Sequence, residues 1–141
     1  MVMRFVFAAA AGSLLLTGCG TGGNSADRQL VQEVSGGVNP YLWRASLDTM
    51  EDLPLQSQPD PLGGIIVYDW KSFDGAPDER IKATVYILDT RLRADGVKVS
   101  VFRQVRRNGV WEDAAVDPAT QVQLENKILE RARRLKVAEV R

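Results

Sequence analysis

No histidine occurs in the 141 residues, and Cys19 is the only cysteine. The first absence removes the side chain that most often serves as a general base near neutral pH. It excludes Ser-His-Asp and Cys-His arrangements and takes away the commonest zinc ligand. A lone cysteine excludes an intrachain disulfide and a cysteine-rich metal cluster. No glycine-rich phosphate loop is present: Gly63-Gly64 precedes a β-type apolar run, whereas a phosphate loop opens a helix. The formal net charge is zero, so charge implies neither nucleic acid nor an anionic surface as partner. No apolar run reaches the ~20 residues that span a bilayer. Asp60, Asp69, Asp74 and Asp78 surround one expected strand, but acidic residues there are commonly turn formers. Asp74, Asp78 and Glu79 lack EF-hand spacing. A carboxylate hydrolase and a calcium site are the minor alternatives left. The main reading is no enzyme, no metal and no cofactor.

What is present begins at the N-terminus. Residues 1–4 carry one positive charge, Arg4, and residues 5–16 are an apolar run rich in Ala and Leu. This pattern suits a signal peptide. It ends in Leu16-Thr17-Gly18-Cys19, which resembles the lipobox of bacterial lipoproteins. The resemblance implies diacylglycerol on Cys19, cleavage before it, and acylation of the new amine. Acyl burial is worth about 0.8 kcal/mol per CH₂, and two or more chains anchor stably. Gly20 follows the cysteine. The aspartate that resembles an inner-membrane retention signal is absent there, which points to the periplasmic face of the outer membrane over the inner membrane.

The chain divides into a signal peptide (1–18), a lipidated cysteine with a flexible tether (19–37) and one domain (38–141). The tether is rich in Gly, Asn and Ser, and eighteen flexible residues reach roughly 25 Å. Leu30, Val31 and Val34 are spaced for a helical turn or two; docking on the domain and a solvated tether both fit that spacing. Residues 20–79 hold 3 basic and 10 acidic side chains, net −7, and residues 80–141 hold 14 and 8, net +6. The simple reading is mutual neutralisation on folding. A dipolar surface that orients the domain is the alternative.

Asn39-Pro40 and Asp117-Pro118 each pair a capping side chain with the residue suited to the first helical position. The first helix presents Trp43, Leu47 and Met50 on one face and stops near Leu53, before Pro54. The second runs over 118–137 with Leu124, Ile128, Ala132 and Leu135 on one stripe. Between them, strands are expected over 65–70, 80–93, 97–107 and 110–112, with residues 71–78 as a loop. Ala94-Asp95-Gly96 and Asn108-Gly109 are the hairpin turns. The predicted fold is α+β: a two-layer sandwich, an antiparallel meander of three to four strands with both helices on one face.

Such a sandwich leaves one sheet face without helices. Alternation places Val97, Val99 and Val101 inward and Lys98, Ser100, Phe102 and Gln104 outward. Ile81, Ala83, Val85 and Ile87 form the more apolar set of the second strand. The outer face is then expected to carry Tyr68, Trp70, Tyr86, Leu88 and Phe102. Cross-strand aromatic packing, cover by the tether and a partner-binding patch are the three readings of these residues. Tyr68, Trp70, Tyr86 and Phe102 are the candidate partner surface. Trp43, Met50 and Trp70 are candidates for a ligand pocket between sheet and helices.

Tyr41-Leu42-Trp43-Arg44-Ala45-Ser46-Leu47-Asp48, Asp60-Pro61-Leu62-Gly63-Gly64-Ile65-Ile66 and Asp69-Trp70 form a distinctive set. It resembles an uncharacterised alphaproteobacterial lipoprotein family known only as a domain of unknown function. The resemblance covers residues 38–141 and implies no activity. The expected function is that of a membrane-anchored, non-enzymatic interaction module, supporting outer-membrane assembly or envelope integrity. Its partners are the membrane, through lipid on Cys19, and envelope proteins, with no nucleic acid. A small-ligand or lipid-binding module is the alternative.

Overall fold

The structure, a computed structural model, describes residues 37–140. Cys19 and the expectations of a signal peptide and a tether over residues 1–36 fall outside the described residues. Among the described residues the buried core runs from Val38 to Leu135.

The elements are α1 (Pro40–Thr49), β1 (Ile65–Val67), β2 (Lys71–Phe73), β3 (Ala76–Ile87), β4 (Val97–Arg107), β5 (Val110–Ala114) and α2 (Pro118–Glu139). All strand pairs are antiparallel. The sheet runs β1-β3-β4-β5, and β2 joins β1 along the same edge of β3. The α+β sandwich expected from the sequence is therefore present, with five strands in place of three or four.

The β3–β4 hairpin sets the two faces. It pairs Glu79 with Val105 through to Ile87 with Val97. Side chains alternate along a strand, so Ala83, Val85 and Ile87 lie beside Val97, Val99 and Val101 on one buried face. Asn108 (φ 49°) and Gly109 (φ 81°) then turn β4 into β5. Two consecutive positive φ values match the type I′ hairpin geometry that Asn-Gly favours. β5 pairs with Arg103–Arg107 alone. Beside the rest of β4, the Glu125 carboxylate accepts the Val99 N–H at 3.1 Å.

Both caps form as their residues dictate. Asn39 Oδ1 accepts from Leu42 N at 2.9 Å, and Asp117 Oδ1 accepts from Ala119 N at 2.9 Å. From α1, Leu42, Trp43, Ala45 and Ser46 are buried; from α2, Ile128, Leu129, Ala132 and Leu135 are. Asp48 joins the helices, meeting Arg44 at 2.8 Å and Arg131 at 2.7 Å.

Strand β1 ends at Val67 and not near 70, and β5 extends to Ala114; three further boundaries differ from the sequence expectation, each because of a specific contact or turn. β2 and the start of β3 occupy residues 71–78, because Asp74-Gly75 closes a tight hairpin rather than a loop. β3 ends at Ile87, not near 93. Residues 89 and 90 leave the sheet to hold the α1 cap: Asp89 O accepts Asn39 N–H, and Thr90 O accepts the Asn39 side-chain amide. α1 ends at Thr49 because Met50 leaves helical geometry (φ −107°, ψ 18°) and a turn joins Leu53 N–H to Met50 O.

This early stop creates a mismatch in length. Ten helical residues span about 15 Å, whereas the twelve of β3 span about 40 Å. α1 covers only the Ile87 end of the sheet.

Gly64 sits at φ 68°, and a Cβ there would lie 2.5 Å from the Ile87 carbonyl oxygen. Gly64→Ala is expected to cost about 1–3 kcal/mol, the usual range for a forced left-handed residue, read from urea unfolding. In the loop after β3, Arg91 holds Asp89 down at about 2 by side-chain and backbone hydrogen bonds. A lowered carboxyl pKa adds stability above its unfolded value and loses it as pH falls through the folded one. An NMR titration is therefore expected to give an Asp89 midpoint near 2, with the loop loosening below about pH 4, the ordinary carboxyl range.

Candidate functional site

The face opposite the helices begins as simple alternation. Lys82, Thr84 and Tyr86 pair across with Phe102, Ser100 and Lys98. Ile65 and Val67 of β1 pair with Tyr86 and Thr84, so they face outward as well. Their odd-numbered parity sends Ile66 and Tyr68 inward, and both are buried. Tyr68 therefore leaves the candidate partner surface. Its hydroxyl donates to Ser46 O at 3.4 Å at the end of α1. Burial pushes its pKa up, so it stays protonated at neutral pH.

Trp70 reaches the outer face by an irregularity. Tyr68 N–H still bonds Ala83 O, but Lys71 already pairs with Ile81. One extra residue lies between them, and an insertion of one reverses the side-chain parity. The bulge is held on its free side: Asp69 N–H bonds Pro54 O at 2.7 Å, and Asp69 Oδ1 accepts Trp70 N–H at 2.7 Å.

Outward, Trp70 meets cations. The Arg80 guanidinium lies 4.7 Å from the Trp70 ring and 4.3 Å from the Trp111 ring. Lys82 lies 5.0 Å from Trp70 and 5.2 Å from Phe102. Arg106 stands over Trp111 at 5.2 Å. These separations fall within the ~6 Å reach of a cation–π contact. Arg80 is oriented by Gln104, whose Oε1 accepts from its Nε and Nη2 at 2.9 and 2.6 Å. Gln104 Nε2 in turn donates to Asp113 at 2.7 Å. Arg106 donates to Asp78 at 2.7 Å.

The face is thus an alternating ladder of aromatic rings and cations. Tyr86 and Phe102 continue it, 36% and 49% exposed, and Ile65 adds an apolar corner. Lys98 is answered by Glu125 at 3.5 Å, and Arg80, Lys82 and Arg106 outnumber Asp78 and Asp113 there, so the surface is basic. Such a face can stack on planar or apolar groups and attract carboxylates. Asp78 and Glu79, candidates for calcium in the sequence, are engaged by Arg106 and Arg103, and the Arg103 hydrogen bond lowers the Glu79 pKa. No group of three or more His, Cys, Asp or Glu that could hold a metal ion occurs among the described residues. No helix among them is long and apolar enough to cross a membrane.

The three pocket candidates are not brought together. Trp43 is a core residue, 6% exposed. Met50 lines a cleft between sheet and helices. Trp70 lies on the other side of the sheet. Trp111, Arg80 and Arg106 escaped the sequence reading of the face. The signal for them was available: a two-residue Asn108-Gly109 turn places Trp111 opposite Arg106.

A family model described as a domain of unknown function, DUF3576, matches residues 36–137. The chain is similar to the uncharacterized protein RP420 of Rickettsia prowazekii (strain Madrid E), with 33% identity over 104 residues. That match covers 74% of this chain and 62% of the Rickettsia protein. No solved structure matches.

Arg80→Ala removes two stacks and the bond to Gln104. Exposed cation–π contacts contribute about 0.5–1 kcal/mol each, so a loss of about 1–2 kcal/mol is expected in urea unfolding. Tryptophan emission should shift to the red as Trp70 and Trp111 gain water, with Arg80→Lys intermediate in both readouts.

Proposed function

Because the chain belongs to the DUF3576 family, whose description assigns no activity, we propose from its own residues that it is a lipid-anchored binding module of the bacterial envelope. Lipid on Cys19 holds it to the periplasmic face of the outer membrane. The open face of the sheet docks an envelope protein during outer-membrane assembly or maintenance. The anchor half of this reading rests on the Leu16-Thr17-Gly18-Cys19 motif. The docking half rests on one observation: Trp70, Tyr86, Phe102 and Trp111 share with Arg80, Lys82 and Arg106 the face that neither described helix covers.

That residue mixture favours binding. Trp, Tyr and Arg are the side chains enriched where interface energy concentrates. Rings clamped between cations lose little rotamer freedom when a partner arrives, which lowers the entropic cost of association. The basic excess favours a partner segment with acidic residues beside apolar ones. Catalysis has few available groups, since the chain lacks histidine and lipid would occupy its one thiol.

The two halves are tested separately. Cys19→Ser should abolish palmitate labelling and leave the uncleaved, larger precursor. Labelling that persists in this variant overturns the anchor. A photo-crosslinking residue at position 84, central on the open face, should give discrete adducts with envelope proteins in cells. The adducts should vanish in Tyr86→Ser/Phe102→Ser, with the fold checked by circular dichroism. Unchanged adducts in the folded variant overturn the docking face.

A further inference from the structure

The helix side of the sheet is incompletely covered. Beyond the end of α1, towards Ile81 and Val101, a cleft of about 580 Å³ opens between the sheet, the α1 terminus and the start of α2. Its floor is Met50, Leu53, Ala83 and Val101, all buried, and half-buried Ile81 and Leu124 frame the mouth. The lining is mainly apolar. The volume lies within the roughly 300–1,000 Å³ typical of small-molecule sites. It exists because α1 is far shorter than the strands beneath it.

The rim selects the head of any ligand. Its one cation, Arg103, is already committed: Nε and Nη2 donate to Glu79 at 3.1 and 2.8 Å, and Nη1 to Ala115 O at 3.3 Å. The positive end of α2 is answered by the Asp117 carboxylate, which caps Ala119 N–H. Asp52 is exposed at the rim and forms no ion pair among the described residues. Thr49 and Thr120 line the cleft too, and each supplies a hydroxyl. The rim therefore repels a carboxylate and suits a hydroxyl or ammonium group.

We propose that this cleft binds the hydrocarbon chain of a single-chain amphiphile whose head is uncharged or ammonium-bearing. It is a second site, across the sheet from the aromatic-cation face, and does not depend on the docking role of that face. The chain's own N-terminal segment is poorly placed to fill it. The described chain starts at Gly37, packed against Leu62 at the Ile87 end of β3. Ile81 lies six residues along that strand, about 20 Å away. Residues 30–37 would need nearly full extension, about 23 Å, to bring Leu30 there.

Met50 supplies a direct reporter, because the only other methionines are Met1 and Met3. The test uses residues 19–141 with Cys19→Ser, which retain the tether and the whole core without lipid. Methyl-labelled Met50 gives one resonance. Dodecyltrimethylammonium, dodecanol and dodecanoate are titrated below their aggregation limits. Expected is a saturable shift with the ammonium and the alcohol, and at least tenfold weaker binding of the carboxylate. Thr120→Trp at the mouth should abolish the shift. Asp52→Lys is an exposed change that leaves packing intact, and should raise dodecanoate affinity to at least that of the ammonium. No saturable shift, a carboxylate preference in the unmodified cleft, or an unaltered preference in Asp52→Lys overturns the proposal. Binding that emerges only after residues 19–36 are removed also overturns it, and identifies the N-terminal segment as the occupant.

Discussion

The pairing of β3 with β4 decides which way almost every side chain of the sheet faces. It fixes nine consecutive residue pairs, from Glu79–Val105 to Ile87–Val97. A slip of one residue would send the valines to water and the lysines into the core. The tight Asn108-Gly109 turn carries that parity into β5, and the β1 pairing carries it outward to Ile65 and Val67. Both helices then have a single apolar surface to cover. The aromatic-cation ladder occupies the other surface, which neither of the described helices covers.

Much of this architecture is legible in the sequence where short-range chemistry acts alone. Asn39-Pro40 and Asp117-Pro118 cap their helices as those side chains require. The alternating valines of β4 face inward as their spacing predicts. What escapes the sequence is decided by longer-range contacts. Strand β3 stops at Ile87 because the Asp89 and Thr90 carbonyls are needed by Asn39, some fifty residues earlier. The inward Tyr68 and outward Trp70 lie two apart yet face oppositely. The bulge between them depends on pairing with Pro54 on one side and Ile81 on the other. Periodicity within one segment cannot report a bulge whose partners lie elsewhere. The outward Tyr86 and Phe102 were legible because their strands run unbroken.

The charge asymmetry along the chain has a structural counterpart. Arg103–Glu79, Arg106–Asp78 and Arg131–Asp48 each join the basic second half to the acidic first half. The first two clasp the far end of the β3–β4 hairpin, and the third links the helices. Mutual neutralisation on folding is therefore visible at these three places. Pairs near the surface each contribute about 0–1 kcal/mol, so their weight lies in orientation more than in stability. Arg103 and Arg106 point to opposite faces of the sheet, and each is fixed by the carboxylate it meets.

The hydrogen bond from Val99 N–H to Glu125 bears on the bare edge of β4. A strand that ends one side of a sheet offers a ready template to any second strand. β5 shields β4 only at Arg103–Arg107, and one carboxylate from α2 occupies a backbone donor farther along. With its N–H held by Glu125, Val99 offers no free donor to a second strand, so the part of β4 that β5 leaves bare is blunted by a helix side chain and not by another strand.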